Sequence, residues 1–398
     1  MRLLHTSDWH LGRSLHGVDL LEHQRQVHAW LVWAAVQHQV DAVLVSGDVF
    51  DRAVPPIEAV DLLEQTLAEL SAHASVIVIS GNHDSATRLG YGSRLFRDPL
   101  HIRTRVESIG SPVELSDEHG PVLVYPLPFL DPDIARGPLS EDKNEVVARS
   151  HEAVLGAAMA RVRADIATRP GHARVVVMAH AFVTGGAASE SERDIRVGGV
   201  DTCPVGVFNG VHYLALGHLH GPQLVSLVPS GDRGGGRLAV ETHQARYSGS
   251  LLRYSFSEEY QNKSVAIVDL DASGVSAVEL VPVPQPRAML TLNGSLDELL
   301  ASDHDTAAWV RAVCTDDVRP DRLVERLRLR FPHLLLVGHE PRRAAQVALA
   351  PLVSRDTERL GVVDRFVKHV TGRAITEPEQ AQVAAAYESV LAAARKEA

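Results

Sequence analysis

Five short clusters in this chain carry the residue types that bind metal ions: Asp8 with His10, Asp48 alone, Asn82 with His83 and Asp84, His180 alone, and His218 with His220. Each follows an apolar run or strand-like segment, so each delivers a polar side chain just beyond a segment that reads as buried strand. Taken singly, any of these residues reads equally well as a turn aspartate, a helix cap or a satisfied histidine; with 21 histidines in the chain, only patterned ones count. The repetition at five strand ends is what points to a site. Together the clusters offer more than four oxygen and nitrogen donors, too many for one tetrahedral zinc. The set suits two ions about 3.5 to 4 Å apart that share a carboxylate. Asp48, alone on its strand, is the expected shared ligand. Asp8, His10 and one histidine of the last pair would complete one ion, and Asn82, His180 and the other histidine the second. Nitrogen mixed with hard oxygen favours manganese, iron or zinc over magnesium.

The elements that must place these groups alternate. A strand at Leu3 to Thr6 leads to a helix from about Leu20 to Val36, with Val27, Trp30, Leu31 and Ala34 on one face, and then to the strand Ala42 to Val45. A helix from Ile57 to Leu70, with Val60, Leu63, Leu67 and Leu70 at helical spacing, precedes the strand Val76 to Ile79. Strands at Val122 to Tyr125, Arg174 to Met178 and Val211 to Leu216 follow, with a helix from roughly Glu141 to Thr168 and a long polar loop from Thr184 to Val200. This order predicts an α/β fold with largely parallel strands covered by helices. Functional groups of such sheets gather beyond the carboxyl ends of the strands, so clusters distant in sequence can converge. After the break at Gly231 to Gly236, period-2 alternation predicts a hairpin of Ser264 to Leu270 and Val275 to Val281, expected to complete a second sheet packed on the first.

Pro282, Pro284 and Pro286 mark a boundary. Beyond it a smaller α+β domain is expected, with strands near Ala288 to Leu292, Ala308 to Thr315 and His333 to Val337 and a helix near Asp321 to Phe331. Helices at about Thr357 to Val370 and Glu377 to Lys396 end the chain. The expected domains are 1–285, 286–345 and 346–398.

Composition bounds the function. The 398 residues are 45% hydrophobic and 22% charged, which fits ordinary globular domains with a sizeable core. The N-terminus has no extended apolar segment, and runs such as Ala29 to Val36 are too short to cross a bilayer, so a cytoplasmic protein is expected. Two cysteines, Cys203 and Cys314, exclude a disulfide framework and a thiolate zinc site. The net charge of −11 has the wrong sign for holding nucleic acid by bulk electrostatics, so a polyanion would need a local patch or a partner. The one strongly basic segment carries Arg88, Arg94, Arg97, Arg103 and Arg105 against Asp98. It reads as a phosphate-tracking surface or as an ordinary solvated face.

Asp8-Trp9-His10, Gly47-Asp48-Val49-Phe50-Asp51-Arg52, Gly81-Asn82-His83-Asp84, His180 and Gly217-His218-Leu219-His220 resemble the ordered motifs of the calcineurin-like metallophosphoesterases. The segment from Arg246 to Glu258 is similar to one branch of them, the nuclease subunits of bacterial SbcCD and their Mre-eleven counterparts. The specific motifs cover about the first 260 residues. The resemblance implies two packed β-sheets flanked by helices, with a capping domain and C-terminal helices. It implies one manganese held by Asp8, His10, Asp48 and His220 and another held by Asp48, Asn82, His180 and His218. It also implies that His83 acts on the phosphodiester; Asp51 is a candidate to orient it, with an ion pair to Arg52 the alternative.

Serine/threonine phosphatases of the superfamily normally show Gly after the Asp-Arg pair and Glu in place of Asp84. Ala53 and Asp84 here favour the nuclease branch. The implied activity is that of an ATP-dependent double-strand exonuclease and single-strand or hairpin endonuclease in DNA recombination, replication and repair. Its implied partners are an SbcC-type ATPase and DNA, in a homodimer within a heterotetramer associated with the nucleoid. The C-terminal helices, with Val362, Val363, Phe366, Val367 and Val370 on one face, are the expected docking element; packing on the capping domain is the plainer reading of that face. A small-nucleotide or cyclic-nucleotide phosphodiesterase, and a catalytically silent scaffold, are the competing readings.

Overall fold

A computed structural model describes residues 1–140, 146–192, 202–225, 244–341, 363, 367–368, 370 and 372–386. The Gly231 to Gly236 break, Val362 and Phe366 lie outside the described residues, as do parts of the Thr184 to Val200 loop and of the C-terminal helices. The chain divides into two compact units at Leu290/Thr291.

The first unit holds two six-stranded sheets. In the first, Arg2–Thr6, Ala42–Ser46, Ser75–Ile79 and Leu100–Arg103 run parallel in that order. In the second, Gln244–Tyr247, Tyr213–Gly217, Arg174–His180 and Gly120–Leu127 run parallel, with antiparallel Gln223–Val225 and Val113–Asp117 at the edges. Strand periodicity sorts the side chains. Leu3, Ala42, Leu44, Val122, Val124, Val176, Met178, Tyr213 and Ala215 fill the layer between the sheets. The intervening Leu123, Tyr125, Val175 and Val177 meet Val154, Leu155, Ala158, Met159 and Val162 of the helix His151–Thr168.

The hairpin Ser264–Asp271 and Gly274–Pro282 departs from expectation. It does not complete the second sheet; Ser264–Asp271 pairs antiparallel with Arg2–Thr6 in the first. Leu3 and Leu4 are wholly buried, and an unpaired Arg2–Thr6 edge would leave their backbone groups unsatisfied there. Ala266, Val268 and Leu270 then join the inter-sheet layer. Two smaller differences are local. Val60 is exposed while Ala59 and Leu62 turn inward, and the helix expected from Glu141 begins at His151, after a separate short helix at Pro132–Leu139.

Two polar contacts join the sheets. The His5 ring spans from the first sheet to the Tyr213 hydroxyl at 2.9 Å and the Leu216 carbonyl at 3.2 Å. The Ser46 hydroxyl donates to the Ala215 carbonyl at 3.0 Å. Gly217 lies so close to the Ser46 carbonyl that a Cβ would overlap it. The two sheets therefore approach closely at the carboxyl ends of their strands, where the five clusters emerge.

From Met289 onward a three-stranded sheet follows in the order Met289–Gly294, Trp309–Cys314, Leu334–His339, with the latter two parallel, and helices at Leu296–Ala301 and Leu323–Arg330. Ser295 and Glu298 form a capping box at the start of the first of these helices. Residues 377–386 are helical. Among the described residues no helix is long and apolar enough to cross a membrane.

Burial pushes His5 down from 6.5 to about 3. The folded state therefore keeps it neutral while the unfolded chain takes up a proton below pH 6.5, so its contribution is intact above that pH and is lost on acidification toward 3. His5→Asn should flatten the pH dependence of unfolding between about pH 6 and 4 by up to about 1.4 kcal/mol per pH unit. Urea melts in the presence of a chelator would show it; parallel slopes for variant and wild type would contradict this account.

Candidate metal centre

Asp8, His10, Asp48, His180, His218 and His220 are all buried, and Asn82 is half-buried beside them. Asp48 Oδ2 sits in the middle, 3.7 Å from His10 Nε2 and 3.5 Å from His180 Nε2. On one side His10 Nε2 and His220 Nε2 lie 3.0 Å apart, and one ligand atom from each of Asp8, His10 and His220 falls within 4.8 Å of the others. On the other side Asn82 Oδ1 is 2.9 Å from His180 Nε2 and 3.1 Å from His218 Nδ1. All five sequence clusters thus converge, and six of the seven residues fall into two groups around the seventh, the Asp48 carboxylate.

Local backbone makes this possible. Asp8, His10 and Asp48 have φ of 54°, 46° and 50°, and His218 has φ of 109°. The loop after the first strand is laid along the loop after the second: Asp8, His10 and Leu11 donate backbone N–H groups to Gly47, Asp48 and Val49 at 2.9–3.0 Å. Gly47, at φ 89°, would place a Cβ 2.5 Å from His180 Nδ1, so this turn needs glycine for conformation and for space. Gln24, reaching from the first helix, donates to the His10 carbonyl at 2.8 Å, and the Tyr254 hydroxyl donates to the Trp9 carbonyl at 2.5 Å.

Asp84 clamps the next pair of loops. Its carboxylate accepts from the backbone N–H groups of Val49, Phe50 and Gly81 at 2.8–3.1 Å. Burial and then the Asp48 charge push its carboxyl up to about 7, against the pull of those donors.

Electrostatics favour cation binding. Burial holds the His10 and His218 rings neutral, at about 3, leaving nitrogen lone pairs for a ligand. Burial also opposes charge on Asp48, but the surrounding histidines, His180 foremost, hold it well below the usual carboxylate range. Burial works against a charged His180 too, and the Asp48 carboxylate outweighs it, raising His180 to about 9. Asp8 moves the other way, up to about 6, chiefly by burial. A divalent cation held here would offset the negative charge of these clustered carboxylates. The donor set fits two such ions: buried, mixed oxygen and nitrogen, with paired lone-pair atoms at His10 and His220 turned toward each other.

His83 lies alongside, its Nε2 3.9 Å from Asp48 Oδ2 and its Nδ1 2.7 Å from the Asp51 carbonyl. Asp51 therefore meets His83 through its backbone. Its carboxylate turns instead to His10 Nδ1 at 3.5 Å and Arg13 at 3.4 Å, rather than forming the alternative pair with Arg52. The five arginines separate. Arg88 donates to the Ala53 carbonyl at 2.7 Å, next to the Asp51 loop. Arg94, Arg97, Arg103 and Arg105 line two hollows of about 450 and 420 Å³ along the edge strand Leu100–Arg103.

Residues without a role in the sequence reading also reach the site. Glu258 lies 3.3 Å from His220 Nδ1, Ser191 Oγ 2.5 Å from the same nitrogen, and Glu192 accepts from the His220 backbone N–H at 2.8 Å. Only Glu258 had a signal, as the last residue of the Arg246 to Glu258 motif.

Asp84→Ala would strand three backbone donors. A stability loss of about 1–3 kcal/mol is expected, together with weaker divalent-ion binding because the 47–51 and 81–84 loops lose their common anchor. Denaturant melts and manganese titration on the same preparation measure both; unchanged ion affinity would confine Asp84 to folding.

The calcineurin-like phosphoesterase family profile matches residues 1–222, more than half of the chain. The SbcD component of nuclease SbcCD from Staphylococcus epidermidis is 30% identical over 303 residues, covering 75% of this chain and 74% of that protein. Its counterpart from Staphylococcus saprophyticus is 32% identical over 303 residues, covering 75% and 73%. Among solved structures, TT1561 of Thermus thermophilus superposes with a TM-score of 0.41 at 13% identity, over 71% of this chain and 99% of that one. The chain belongs to the calcineurin-like phosphoesterase family and, within it, to the SbcD group of nuclease subunits.

Proposed function

We propose that this chain is the DNA-cleaving subunit of an SbcCD-like complex. It would act in the cytoplasm at the nucleoid, with an SbcC-type ATPase, as an exonuclease on double strands and an endonuclease on single strands and hairpins. The observation that carries the reading is the convergence of six side chains, those of Asp8, His10, Asn82, His180, His218 and His220, about the buried Asp48 carboxylate, with His83 beside them. Asp8, His10, Asp48 and His220 would hold one manganese ion, and Asp48, Asn82, His180 and His218 the other. When bound, such a pair supplies Lewis acidity to a phosphodiester and an activated water for in-line attack.

The protein's own contribution is position and proton transfer. The Asp51 carbonyl can only accept, so His83 Nδ1 carries a hydrogen and the ring presents Nε2 to the site. In its protonated form His83 can give the Nε2 proton to the leaving oxygen. The backbone N–H of His83 donates to Asp48 Oδ1 at 2.9 Å, so the proton donor and the shared carboxylate are held in one register. The Asp51 carboxylate lies 3.5 Å from Nδ1, at the far edge of the His10 ring.

Residues 1–285 form the nuclease domain in this reading, 286–345 the cap, and 346–398 the ATPase-binding region. Two subunits would pair within a heterotetramer. Arg88, Arg94, Arg97, Arg103 and Arg105 would track DNA phosphates, the last four from the hollows at the sheet edge.

His83→Ala should keep both ions yet lose cleavage by about 10²–10⁴-fold. Asp48→Asn should lose or disorder both. Metal analysis beside manganese-dependent cleavage of linear and hairpin DNA, with and without ATPase and ATP, tests both at once. Hydrolysis of a chromogenic bis-phosphoester without any DNA cleavage would overturn the DNA reading, and full manganese occupancy in Asp48→Asn would remove Asp48 as the shared ligand.

Replacing Arg94, Arg97, Arg103 and Arg105 together by Ala should weaken DNA binding across sequences. It should also flatten the dependence of log K on log salt by about one for each phosphate no longer neutralised. An unchanged slope would return these arginines to an ordinary solvated face.

A further inference from the structure

We propose that the buried Glu258–Lys263 pair, together with Ser191, positions His220 as a ligand by fixing which ring nitrogen carries hydrogen. This inference rests on the metal-centre reading above and assigns it a supporting layer. His220 is almost fully buried, and its two nitrogens face different surroundings. Nε2 points to His10 Nε2 at 3.0 Å, on the ion side. Nδ1 points away, to Glu258 Oε1 at 3.3 Å and Ser191 Oγ at 2.5 Å, and the Ser191 hydroxyl itself bonds Glu258 Oε1. A carboxylate can only accept, so the arrangement favours hydrogen on Nδ1 and a lone pair on Nε2. A carboxylate behind a ligating histidine also raises its donor strength and fixes its ring plane.

Glu258 could not do this alone, because an isolated buried carboxylate is costly. Lys263 answers it, with Nζ 2.6 Å from Glu258 Oε2 and both side chains fully buried. The ammonium also reaches Gln261 Oε1 at 2.7 Å, the His220 carbonyl at 2.8 Å and Ser250 Oγ at 2.9 Å, so its three N–H donors have more than enough acceptors. Lys263 thus holds the His220 backbone while its partner holds the ring. The Tyr254 N–H, donating to Glu258 Oε2 at 3.2 Å, fixes the remaining freedom of the carboxylate. Glu192, beside Ser191, takes the His220 backbone N–H at 2.8 Å, so the 189–192 segment and the 254–263 segment grip one ligand from two directions.

Removing both charges together avoids leaving one of them stranded in the core. In full-length protein carrying Glu258→Gln with Lys263→Met, Mn²⁺ titration followed by electron paramagnetic resonance should show one of two ions weakened by about 10–100-fold and the other unchanged. Hydrolysis of a bis-phosphoester should recover at saturating Mn²⁺, a rescue that loss of fold would not allow. Wild-type affinity at both sites in the folded double variant would overturn the proposal. A second measurement reads the wild-type protein itself. In wild-type protein stripped by chelator, the long-range ¹⁵N–¹H spectrum should show His220 with hydrogen on Nδ1, its signals identified by their loss in His220→Gln; hydrogen on Nε2 would overturn the proposal. His220→Ala separates this inference from the reading beneath it. If that variant still binds both ions, the metal-centre assignment falls; if it loses one while the double variant loses none, only the role of Glu258 and Lys263 falls.

Discussion

Asp48 is a carboxylate buried to 2% exposure at the meeting point of two sheets, and an unpaired charge there would cost several kcal/mol. The protein meets that cost with groups drawn from separate loops. The His83 backbone N–H binds Oδ1 at 2.9 Å, while His10, His180 and His83 all present ring nitrogens to Oδ2 within 3.9 Å. Two of those rings are fixed in turn by a carbonyl farther out, His180 Nδ1 by Ser46 and His83 Nδ1 by Asp51, while His10 Nδ1 lies 3.5 Å from the Asp51 carboxylate. Imidazole rings held by one nitrogen point the other inward. Carboxylates and ring nitrogens oriented in this way fit the holding of divalent cations.

The same constraint explains why the sheets close where they do. Ser46 is the last residue of its strand, and its side chain bonds Ala215 while its carbonyl receives the His180 ring. Gly217, one residue before His218, has no room for a Cβ against that carbonyl. Packing of the sandwich and placement of the ligands are therefore one event at this end of the strands. His5 repeats the theme a few residues deeper, with a buried polar ring that joins sheet to sheet and is fully paired.

The residues that converge were legible in the sequence because parallel strands buried on both faces read as unbroken apolar runs, so the polar residue that ends each run stands out. Asp48 after Ala42 to Val45 and His180 after Arg174 to Met178 are of this kind. The hairpin at 264–282 was legible as a hairpin but not in its place, since period-2 alternation says which face is buried and nothing about which edge it joins. The choice was set by the N-terminal strand, whose buried Leu3 and Leu4 need a neighbour on each side. Ser191, Glu192 and Lys263 left no mark, because common polar residues in loops acquire meaning only from what lies across from them. Asp51 shows the limit within a motif: its position next to His83 was readable, whereas the division of labour between its carbonyl and its carboxylate depends on a turn that side-chain spacing does not encode.

Backbone conformation adds a further cost that these contacts must offset. Asp8, His10, Asp48 and His218 all take positive φ, a region that L residues occupy at about 1–3 kcal/mol when no compensation exists. Aspartate tolerates the left-handed well; histidine at φ 109° lies outside it. His218 is held there because its backbone N–H donates to both Asp8 oxygens, at 3.0 and 3.2 Å, which gives the strained residue the carboxylate as an anchor. Asp8 is itself fixed by the Ser7 hydroxyl at 2.5 Å and by its own N–H to Gly47. Strain at one ligand is thus balanced by hydrogen bonds from the next, around a ring of loops that no single strand controls. Relaxing any one φ would move a ligand atom and break a bond to its neighbour. The geometry is consequently held by many mutually dependent contacts, the kind of pre-organisation that the proposed two-ion centre would use.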